Sequence, residues 1–367
     1  MKIFVTGTRG IPEIPGGVEK HCEELYPRIV RIGCDVTLAI RSCYNPIECF
    51  EWRGVKLVRC YAPRLKSIEA IMHTLIALLS ARKLKPDIVH IHAIGPSLLA
   101  PIAKMMGFKV VVTNHGPEYN RQKWGAVAKA VLKTGEIVGA KFADEIIAVS
   151  NQVRAILLTR AKKLSNVIPN GVPQAPLTSS IAYLKKIGVE TKGYILAVAR
   201  FVPEKGLHDL IEAYRSSGIE LPIVIAGDAD HETAYSRNLK RLADQIGKIK
   251  LTGYITGYPL FQLYRNARLF VLPSYHEGLP IVLLEAMSFG IPVLASDIVA
   301  NKEVGLEDRR YFRKGDVDDL KEKLILSLDS ELSNSEKDYY HKVLKDNYNW
   351  DVIARKTVVV YKKVVEN

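Results

Sequence analysis

The sequence predicts an α/β protein with two doubly wound parallel-sheet domains that face a central cleft. Short apolar runs rich in β-branched residues alternate with helical stretches along the whole chain, which is typical of parallel sheets covered on both faces. A segment rich in Pro, Ser and Asn interrupts this alternation at 169–180 and indicates a linker. We therefore expect domains at 1–173 and 174–349, with a terminal helix at 350–367 that packs back on the first domain.

Each predicted element follows from a local pattern of apolar residues. In the first domain, strands are expected at 2–6, 35–40, 55–60, 87–92, 109–113 and 144–149, and helices at 17–32, 67–84, 96–106, 122–140 and 151–162. In the second domain, strands are expected at 194–200, 223–227, 249–254, 268–273 and 292–296, and helices at 206–217, 232–246, 259–266, 280–289 and 316–328. The tail from 335 onward is expected to be helical.

Composition and charge exclude several classes of protein. The 367 residues are 48% hydrophobic and 25% charged, which excludes long disorder, collagen and a coiled-coil rod. No run of 18 apolar residues predicts a spanning helix. Of the net charge of +13, nearly all lies in the first half: residues 1–175 hold 25 basic and 13 acidic side chains, and the remainder holds 27 and 26. The first domain is therefore expected to meet an anionic partner.

The cysteines give no sign of a disulfide framework or a zinc site. Their number is odd, no CxxC pair occurs, and no histidine follows at zinc-finger spacing, so reduced thiols in a cytoplasmic protein are expected. The five are Cys22, Cys34, Cys43, Cys49 and Cys60. The first residues predict a strand and not a signal peptide.

Three segments carry chemistry. The first strand leads into GTRGIP at 7–12 and PGGVE at 15–19, where a helix begins near Val18. Paired glycines let a backbone approach a ligand closely, and the amino end of a helix favours an anion. The spacing matches neither a dinucleotide fingerprint nor a Walker A loop.

The second segment pairs two cations at the end of a strand. Arg200 ends an apolar run and Lys205 precedes the next helix, an arrangement that suits a diphosphate.

The third segment is SYHEGLPIVLLEAM at 274–287, and it is the most specific signal. Pro280 suits the first turn of a helix, so a helix is expected to begin near Leu279, with its amino end at Gly278 available to phosphate oxygens. Glu277 then lies in the preceding loop, and Glu285 lies inside the helix among apolar neighbours. A carboxylate there needs hydrogen-bond donors, which ligand hydroxyls can supply.

Together these residues resemble the retaining nucleotide-sugar glycosyltransferases of family 4, which have the GT-B fold of two Rossmann-like domains. The resemblance rests on Glu277 and Glu285 at Glu-x7-Glu spacing, the Arg200 and Lys205 pair, Asn-Gly-Val at 170–172 and Gly-Gly-x-Glu at 16–19. It covers essentially the whole chain. The segment 7–12 and the HGPEY segment at 115–119 look like the branch that contains bacterial polysaccharide rhamnosyltransferases.

The resemblance implies roles for particular residues. Glu277 would bind the hydroxyls of the donor sugar, Glu285 would bind the ribose, and Arg200 and Lys205 would neutralise the departing diphosphate. Further donor contacts would come from Gly16, Gly17, Gly278, Leu279 and Pro280 by backbone, from Asp228 and Tyr254 near the base, and from His115 at the transferred sugar. Glu118, Arg121, Lys123 and Trp124 would contact the acceptor.

The resemblance also implies the partners. The donor would be a nucleotide diphosphate sugar and the acceptor a saccharide or lipid-linked saccharide, with no obligatory metal and no cofactor. The segment 63–85 combines an apolar stripe with flanking basic residues, so the protein could also lie on an anionic membrane surface at the cytoplasmic face.

Two other classes of protein remain open at this point. A sugar-nucleotide 2-epimerase shares the architecture but differs in its catalytic carboxylates. A nucleic-acid or anionic-surface binding protein would fit the charge alone, but no nucleic-acid motif is present, and we expect no nucleic-acid partner.

Overall fold

The computed structural model of the chain describes residues 1–14, 16–44, 50–63, 68–120, 125–172, 180–229 and 231–366. These residues form two compact units, one made of Met1–Gly171 with Asn347–Asn367 and the other of Val172–Asp346. The predicted domain limits, after residues 173 and 349, lie beside these division points. The predicted class of two α/β units with parallel sheets is confirmed.

The first unit is built on an eight-stranded sheet. The strands are β1 (Lys2–Thr6), β2 (Asp35–Arg41), β3 (Glu51–Trp52), β4 (Val55–Cys60), β5 (Ile88–His92), β6 (Val110–Asn114), β7 (Glu145–Ala148) and β8 (Asn166–Val167). Their order is β3-β4-β2-β1-β5-β6-β7-β8, and every pair is parallel except β3 with β4. The helices of this unit are α1 (Gly17–Arg31), α2 (Glu69–Leu84), α3 (Ala100–Met105), α4 (Ala126–Phe142) and α5 (Asn151–Ala161).

The second unit is built on a six-stranded parallel sheet. Its strands are β9 (Ile195–Val198), β10 (Ile223–Ala226), β11 (Ile249–Leu251), β12 (Leu269–Leu272), β13 (Val293–Ser296) and β14 (Tyr311–Phe312), in the order β11-β10-β9-β12-β13-β14. Its helices are α6 (Ala182–Ile187), α7 (Leu207–Ser217), α8 (Ala234–Ile246), α9 (Gly257–Asn266), α10 (Ile281–Ser288), α11 (Val299–Lys302), α12 (Val317–Leu328) and α13 (Asn334–Asn347).

The chain returns to the first unit in a last helix, α14 (Trp350–Glu366). Its inward face packs into the hydrophobic core that α1 forms with β1 and β2. Ile353, Ala354 and Tyr361 are completely buried there. Among the described helices, none combines the length and the apolar character needed to cross a lipid bilayer.

The structure differs from the sequence prediction in its shortest elements. Strands β3, β8 and β14 have two residues each and were not predicted, because so short a run carries no periodicity. The helix predicted at 96–106 is a 3-10 turn at 96–99 followed by α3. Of the predicted linker, residues 173–179 lie outside the described part.

Candidate active site

Four neighbouring strands of the second unit end at one edge of its sheet. The order β11-β10-β9-β12 is parallel, so the carboxyl ends of these strands lie side by side. Ligands of such sheets bind at this edge. The residues predicted for donor binding follow these four strands: Tyr254 after β11, Asp228 after β10, Arg200 and Lys205 after β9, and Glu277 after β12.

Lys205 and Glu277 form a half-buried ion pair at this edge. Lys205 Nζ lies 2.6 Å from Glu277 Oε1, and Ser274 Oγ donates a hydrogen bond to the same oxygen at 2.7 Å. Their side chains are only 18% and 10% exposed. The backbone fixes the two loops to each other, because the N–H of Tyr275 donates to the carbonyl of Glu204 at 2.9 Å. The pair is therefore held in place before any ligand binds.

The helix that carries Glu285 begins later than predicted. It begins at Ile281 and not near Leu279 as predicted, so Pro280 is the capping residue and does not lie in the first turn. Glu285 is half-buried, and its Oε2 accepts a hydrogen bond from the Tyr264 hydroxyl at 2.9 Å. Burial, with the Glu285 carboxylate beside it, raises the pKa of Tyr264 well above its usual range, so Tyr264 remains a donor. The protein itself thus supplies one of the donors that this carboxylate needs.

Asp228 and Tyr254 lie at the predicted edge, but the carboxylate of Asp228 is bound by other groups of the same unit. Its Oδ1 lies 2.9 Å from Lys240 Nζ and accepts a hydrogen bond from the N–H of Ala229 at 2.8 Å. Partial desolvation tends to raise the pKa of Asp228, but the contacts with Lys240 and Ala229 have the larger effect and lower it. Tyr254 is 61% exposed. A role of either residue at the base remains a prediction.

In the first unit, Glu19 organises the glycine loop that follows β1. Its Oε1 accepts hydrogen bonds from the N–H of Arg9 at 3.0 Å and from Arg9 Nε at 3.1 Å. Gly16, with φ of 148°, is the capping residue of α1, and a Cβ there would collide with the Glu19 carboxylate. At Gly17, by contrast, a Cβ would meet no described atom within 4 Å. The loop thus presents open backbone at the amino end of α1.

His115 follows β6 and belongs to a cluster of histidines and tyrosines. Its Nε2 lies 3.0 Å from Nδ1 of His92, whose Nε2 contacts the Tyr26 hydroxyl. The Tyr26 hydroxyl also lies 3.0 Å from Nδ1 of His90. Burial, with the neighbouring histidines, lowers the pKa of His92 and His115 well below the usual range, so both rings are neutral.

His21 of α1 lies against the same cluster. Its ring centroid is 5.3 Å from that of His92 and 4.9 Å from that of His115. Burial lowers the pKa of His21 to about 4, although a hydrogen bond with Asn170 opposes this shift. Sequence reasoning missed His21 and His92. The alternation of His90 and His92 along β5 was the available signal, because residues two apart share one face of a strand.

The predicted acceptor residues are only partly visible. Glu118 is half-buried in a 3-10 turn at 118–120. Arg121, Lys123 and Trp124 lie outside the described residues. Among the described cysteines, Cys22, Cys34, Cys43 and Cys60 are free thiols.

The chain has two α/β units with parallel sheets, and the second unit carries cations and a carboxylate at its strand ends. These features define a GT-B type of protein. Residues 15–175 match the family profile described as glycosyltransferase family 4, and residues 181–356 match the profile described as glycosyl transferases group 1. An Escherichia coli UDP-Gal:alpha-D-GlcNAc-diphosphoundecaprenol alpha-1,3-galactosyltransferase is 30% identical over 279 residues, which are 72% of this chain and 68% of that protein. The chain therefore belongs to the glycosyltransferases that these two family profiles describe.

Other similarities agree with the family and the fold. The O-antigen chain mannosyltransferase B of Escherichia coli is 27% identical over 195 residues, which are 52% of this chain but only 51% of that protein. A sucrose-phosphate synthase from Thermosynechococcus elongatus has the same fold, with a TM-score of 0.84 at 19% identity over 99% of this chain and 98% of that chain. Anabaena HepE, crystallised with UDP-glucose, gives a TM-score of 0.78 at 17% identity over 99% of both chains.

Proposed function

We propose that the protein is a retaining glycosyltransferase that moves a hexose from a nucleotide diphosphate sugar to a saccharide or lipid-linked saccharide, in cell-surface polysaccharide biosynthesis. The observation that carries this proposal is the Lys205 and Glu277 pair, fixed at the carboxyl edge of the second sheet. The names of the similar proteins support it, because one is a galactosyltransferase acting on a lipid diphosphate and another was crystallised with UDP-glucose. The rhamnosyltransferase-like branch stays a prediction, since the relatives named above are a galactosyl- and a mannosyltransferase.

We assign the residues different roles in the proposed reaction. Arg200 and Lys205 stabilise the negative charge that develops on the diphosphate as the anomeric bond breaks. The leaving diphosphate accepts the proton of the acceptor hydroxyl on the same face of the sugar, so the anomeric configuration is retained. Glu277 and His115 orient the transferred sugar, and Glu285 binds the ribose hydroxyls. Gly16 and Gly17 with Gly278, Leu279 and Pro280 offer backbone groups to the phosphates, and Glu118 with Arg121, Lys123 and Trp124 contacts the acceptor.

A thermal-shift panel of UDP-, dTDP- and GDP-sugars tests the donor class. A ligand at about 100 times its Kd adds about 2.7 kcal/mol to the free energy of unfolding, which is a measurable shift. We expect one base to shift the wild type and to shift Lys205→Ala much less. Lys248→Ala, which removes an exposed lysine beside Glu220, is the matched control and should respond like the wild type. A shift that is equal in Lys205→Ala would contradict the assignment.

Turnover tests the role of the two cations. Removing one preorganised donor to developing negative charge typically lowers the rate by about 10²–10³, and we expect this loss for Arg200→Ala and for Lys205→Ala. NMR of the first product formed should show the anomeric configuration of the donor. An inverted product would overturn the retaining assignment, and interconversion of the sugar nucleotide without transfer would instead identify an epimerase, which the family matches do not favour.

We further propose that transfer needs no metal ion. The charges that a metal would neutralise are assigned to Arg200 and Lys205. Turnover should therefore not fall after exhaustive EDTA treatment. Loss of activity in EDTA, restored by Mg²⁺ or Mn²⁺, would overturn this assignment.

We also propose that the first unit docks on an anionic membrane at its cytoplasmic face, where a lipid-linked acceptor would lie. Exposed apolar side chains line α2 and the residue before it: Ile68, Met72 and Leu79 are 45%, 37% and 53% exposed, and Arg82 and Lys83 follow. A basic surface with an apolar stripe binds anionic lipid. We expect flotation with anionic liposomes at low salt, weakened by Leu79→Glu but not by the control Leu326→Glu on the second unit, which is 66% exposed. No flotation with liposomes that contain anionic lipid or with liposomes that lack it would refute membrane docking.

A further inference from the structure

Three histidines of the first unit place their ring nitrogens around one point. One nitrogen each from His21, His92 and His115 lies within 4.8 Å of the other two. They come from α1, β5 and the residue after β6, so only the fold brings them together. We propose that this cluster binds one Zn²⁺ ion per chain. The site shares His115 with the residues proposed to orient the transferred sugar, but the ion takes no part in the proposed transfer, and the tests below measure metal binding and not activity.

The strongest single observation is the ring of His21. Its Nδ1 lies 2.6 Å from Asn170 Oδ1. A carbonyl oxygen only accepts, so Nδ1 carries the proton and Nε2 carries a lone pair. That Nε2 is buried and has no hydrogen-bond partner among the described residues. Leaving a buried nitrogen unpaired is costly, and a metal ion would supply the missing partner.

The second observation is the support behind the ligands. Histidines that bind metals usually donate their other ring N–H to a carbonyl or carboxylate, which fixes the tautomer. Asn170 does this for His21, and the Tyr26 hydroxyl contacts Nε2 of His92 and leaves its Nδ1 directed at His115.

The chemistry of the three rings fits zinc, and so does the separation of one pair of ring nitrogens. With Zn–N bonds of about 2.0–2.1 Å, tetrahedral ligand nitrogens lie about 3.3 Å apart, and the His92 to His115 separation is 3.0 Å. Three neutral imidazoles are a common zinc ligand set, with water in the fourth position. His115 is partly exposed, which gives the ion an entry path and the water a place. The hydrogen bond between His92 Nδ1 and His115 Nε2 contains one proton, and when both nitrogens bind the ion this proton moves to the other nitrogen of the ring that carries it, so each ligand is a neutral imidazole.

Metal titration of the full chain tests this site. After removal of metals with EDTA, we expect one Zn²⁺ to bind per chain in competition with a chromogenic chelator. Co²⁺ should give the visible absorption of a tetrahedral nitrogen site, without a thiolate charge-transfer band. His21→Gln should weaken binding at least 10-fold, whereas His341→Gln, which changes an exposed histidine, should not. Binding that survives His21→Gln, or a thiolate band, would overturn the proposal.

A second pair of variants covers the case in which His21→Gln does not fold. Asn170 would not touch the metal, but changes in such supporting residues alter metal affinity by about 10–100-fold. Asn170→Ala should therefore weaken Zn²⁺ binding, and Asn170→Asp, which places a carboxylate on Nδ1, should strengthen it. A wild-type chain that binds no stoichiometric Zn²⁺, or equal affinity in both Asn170 variants, would overturn the proposal.

Discussion

Gly17 is a position where the requirements of folding and the requirements of ligand binding can be distinguished. A Cβ at this position meets no described atom within 4 Å, although the residue stands at the amino end of α1 beside the open backbone of the glycine loop. No contact among the described residues therefore requires a glycine here. A small residue is required only if a ligand comes close to this backbone.

We therefore predict opposite effects of Gly17→Ala on stability and on function. Alanine is favoured over glycine in a helix by about 0.5–1 kcal/mol, so the free energy of unfolding should rise slightly. Donor binding should weaken if phosphate approaches this backbone. Urea unfolding and donor affinity, measured on the same preparation, check both effects. Unchanged donor affinity would remove Gly17 from the donor site.

His73 gives the first unit a dependence on pH. It is completely buried in α2, and burial, with Arg41 nearby, lowers its pKa to about 3. Between pH 6.5 and 3 the folded chain keeps this ring neutral while the unfolded chain protonates it. Stability is therefore lost as the pH falls below 6.5, by about 1.4 kcal/mol per pH unit.

Substituting His73→Leu should remove that loss. When the pH falls from 7.5 to 4.5, the free energy of unfolding of the variant should rise by about 2–3 kcal/mol relative to that of the wild type. Urea unfolding at the two pH values gives the difference. Leu78→Ala, on the same helix, is the control, and its cost should not change with pH. An equal cost of His73→Leu at both values would contradict the assignment.

At the scale of elements, the turn between β9 and α7 depends on one glycine. Gly206 has a φ of 63°, and a Cβ there would overlap the Pro273 carbonyl oxygen, far closer than van der Waals contact allows. This close approach sets the 3-10 turn that carries Lys205 against the loop that carries Glu277. Gly218, at the other end of α7, has a φ of 71° but open space around it.

The two glycines make a matched pair for mutagenesis. Gly218→Ala should cost only about 1 kcal/mol, from backbone strain alone. Gly206→Ala should cost more and should also lower turnover, because the loop must move away from Pro273. Chemical denaturation and steady-state kinetics of both variants give the comparison. Equal effects of the two substitutions would show that the approach to Pro273 does not fix the site.

At the scale of the whole molecule, the last helix completes a core that begins with the first strand. Helix α14 contributes Trp350, Ile353 and Tyr361 to the core that contains Ile3 and Val36. Each large apolar side chain contributes about 1.5–3 kcal/mol when buried. The sum of such contributions from α14 is comparable to the net stability of a domain, about 5–15 kcal/mol.

A chain that ends at residue 346 should therefore lose the fold of its first unit. The second unit has its own core and should remain folded. Hydrogen exchange resolved along the chain would show protection lost before residue 171 and kept after 180. A chain that ends at Val364 keeps the buried face of α14 and serves as the control. Full protection of β1 and β2 in the shorter chain would contradict this dependence.

Much of the fold could be predicted from the sequence because it depends on local patterns. Buried parallel strands need continuous apolar runs, and both these runs and the points where they end can be recognised in the sequence. The positions of Lys205 and Glu277 at strand ends follow from the same pattern. The edge strand β3, of two residues, carries no such pattern, and it pairs antiparallel with β4 through a tight turn at Arg53 and Gly54, both of which have positive φ.

The sequence by itself therefore determined the two α/β units, the residues at the strand ends and the resemblance to a glycosyltransferase family. The tertiary structure alone decided which of those residues touch: Lys205 with Glu277, Asp228 with Lys240, and Glu285 with Tyr264. It also decided the histidine cluster, whose members His21, His92 and His115 are far apart in the chain. The physical reason is that strand and helix patterns are set by neighbours along the chain, whereas contacts between side chains depend on sheet order and helix packing.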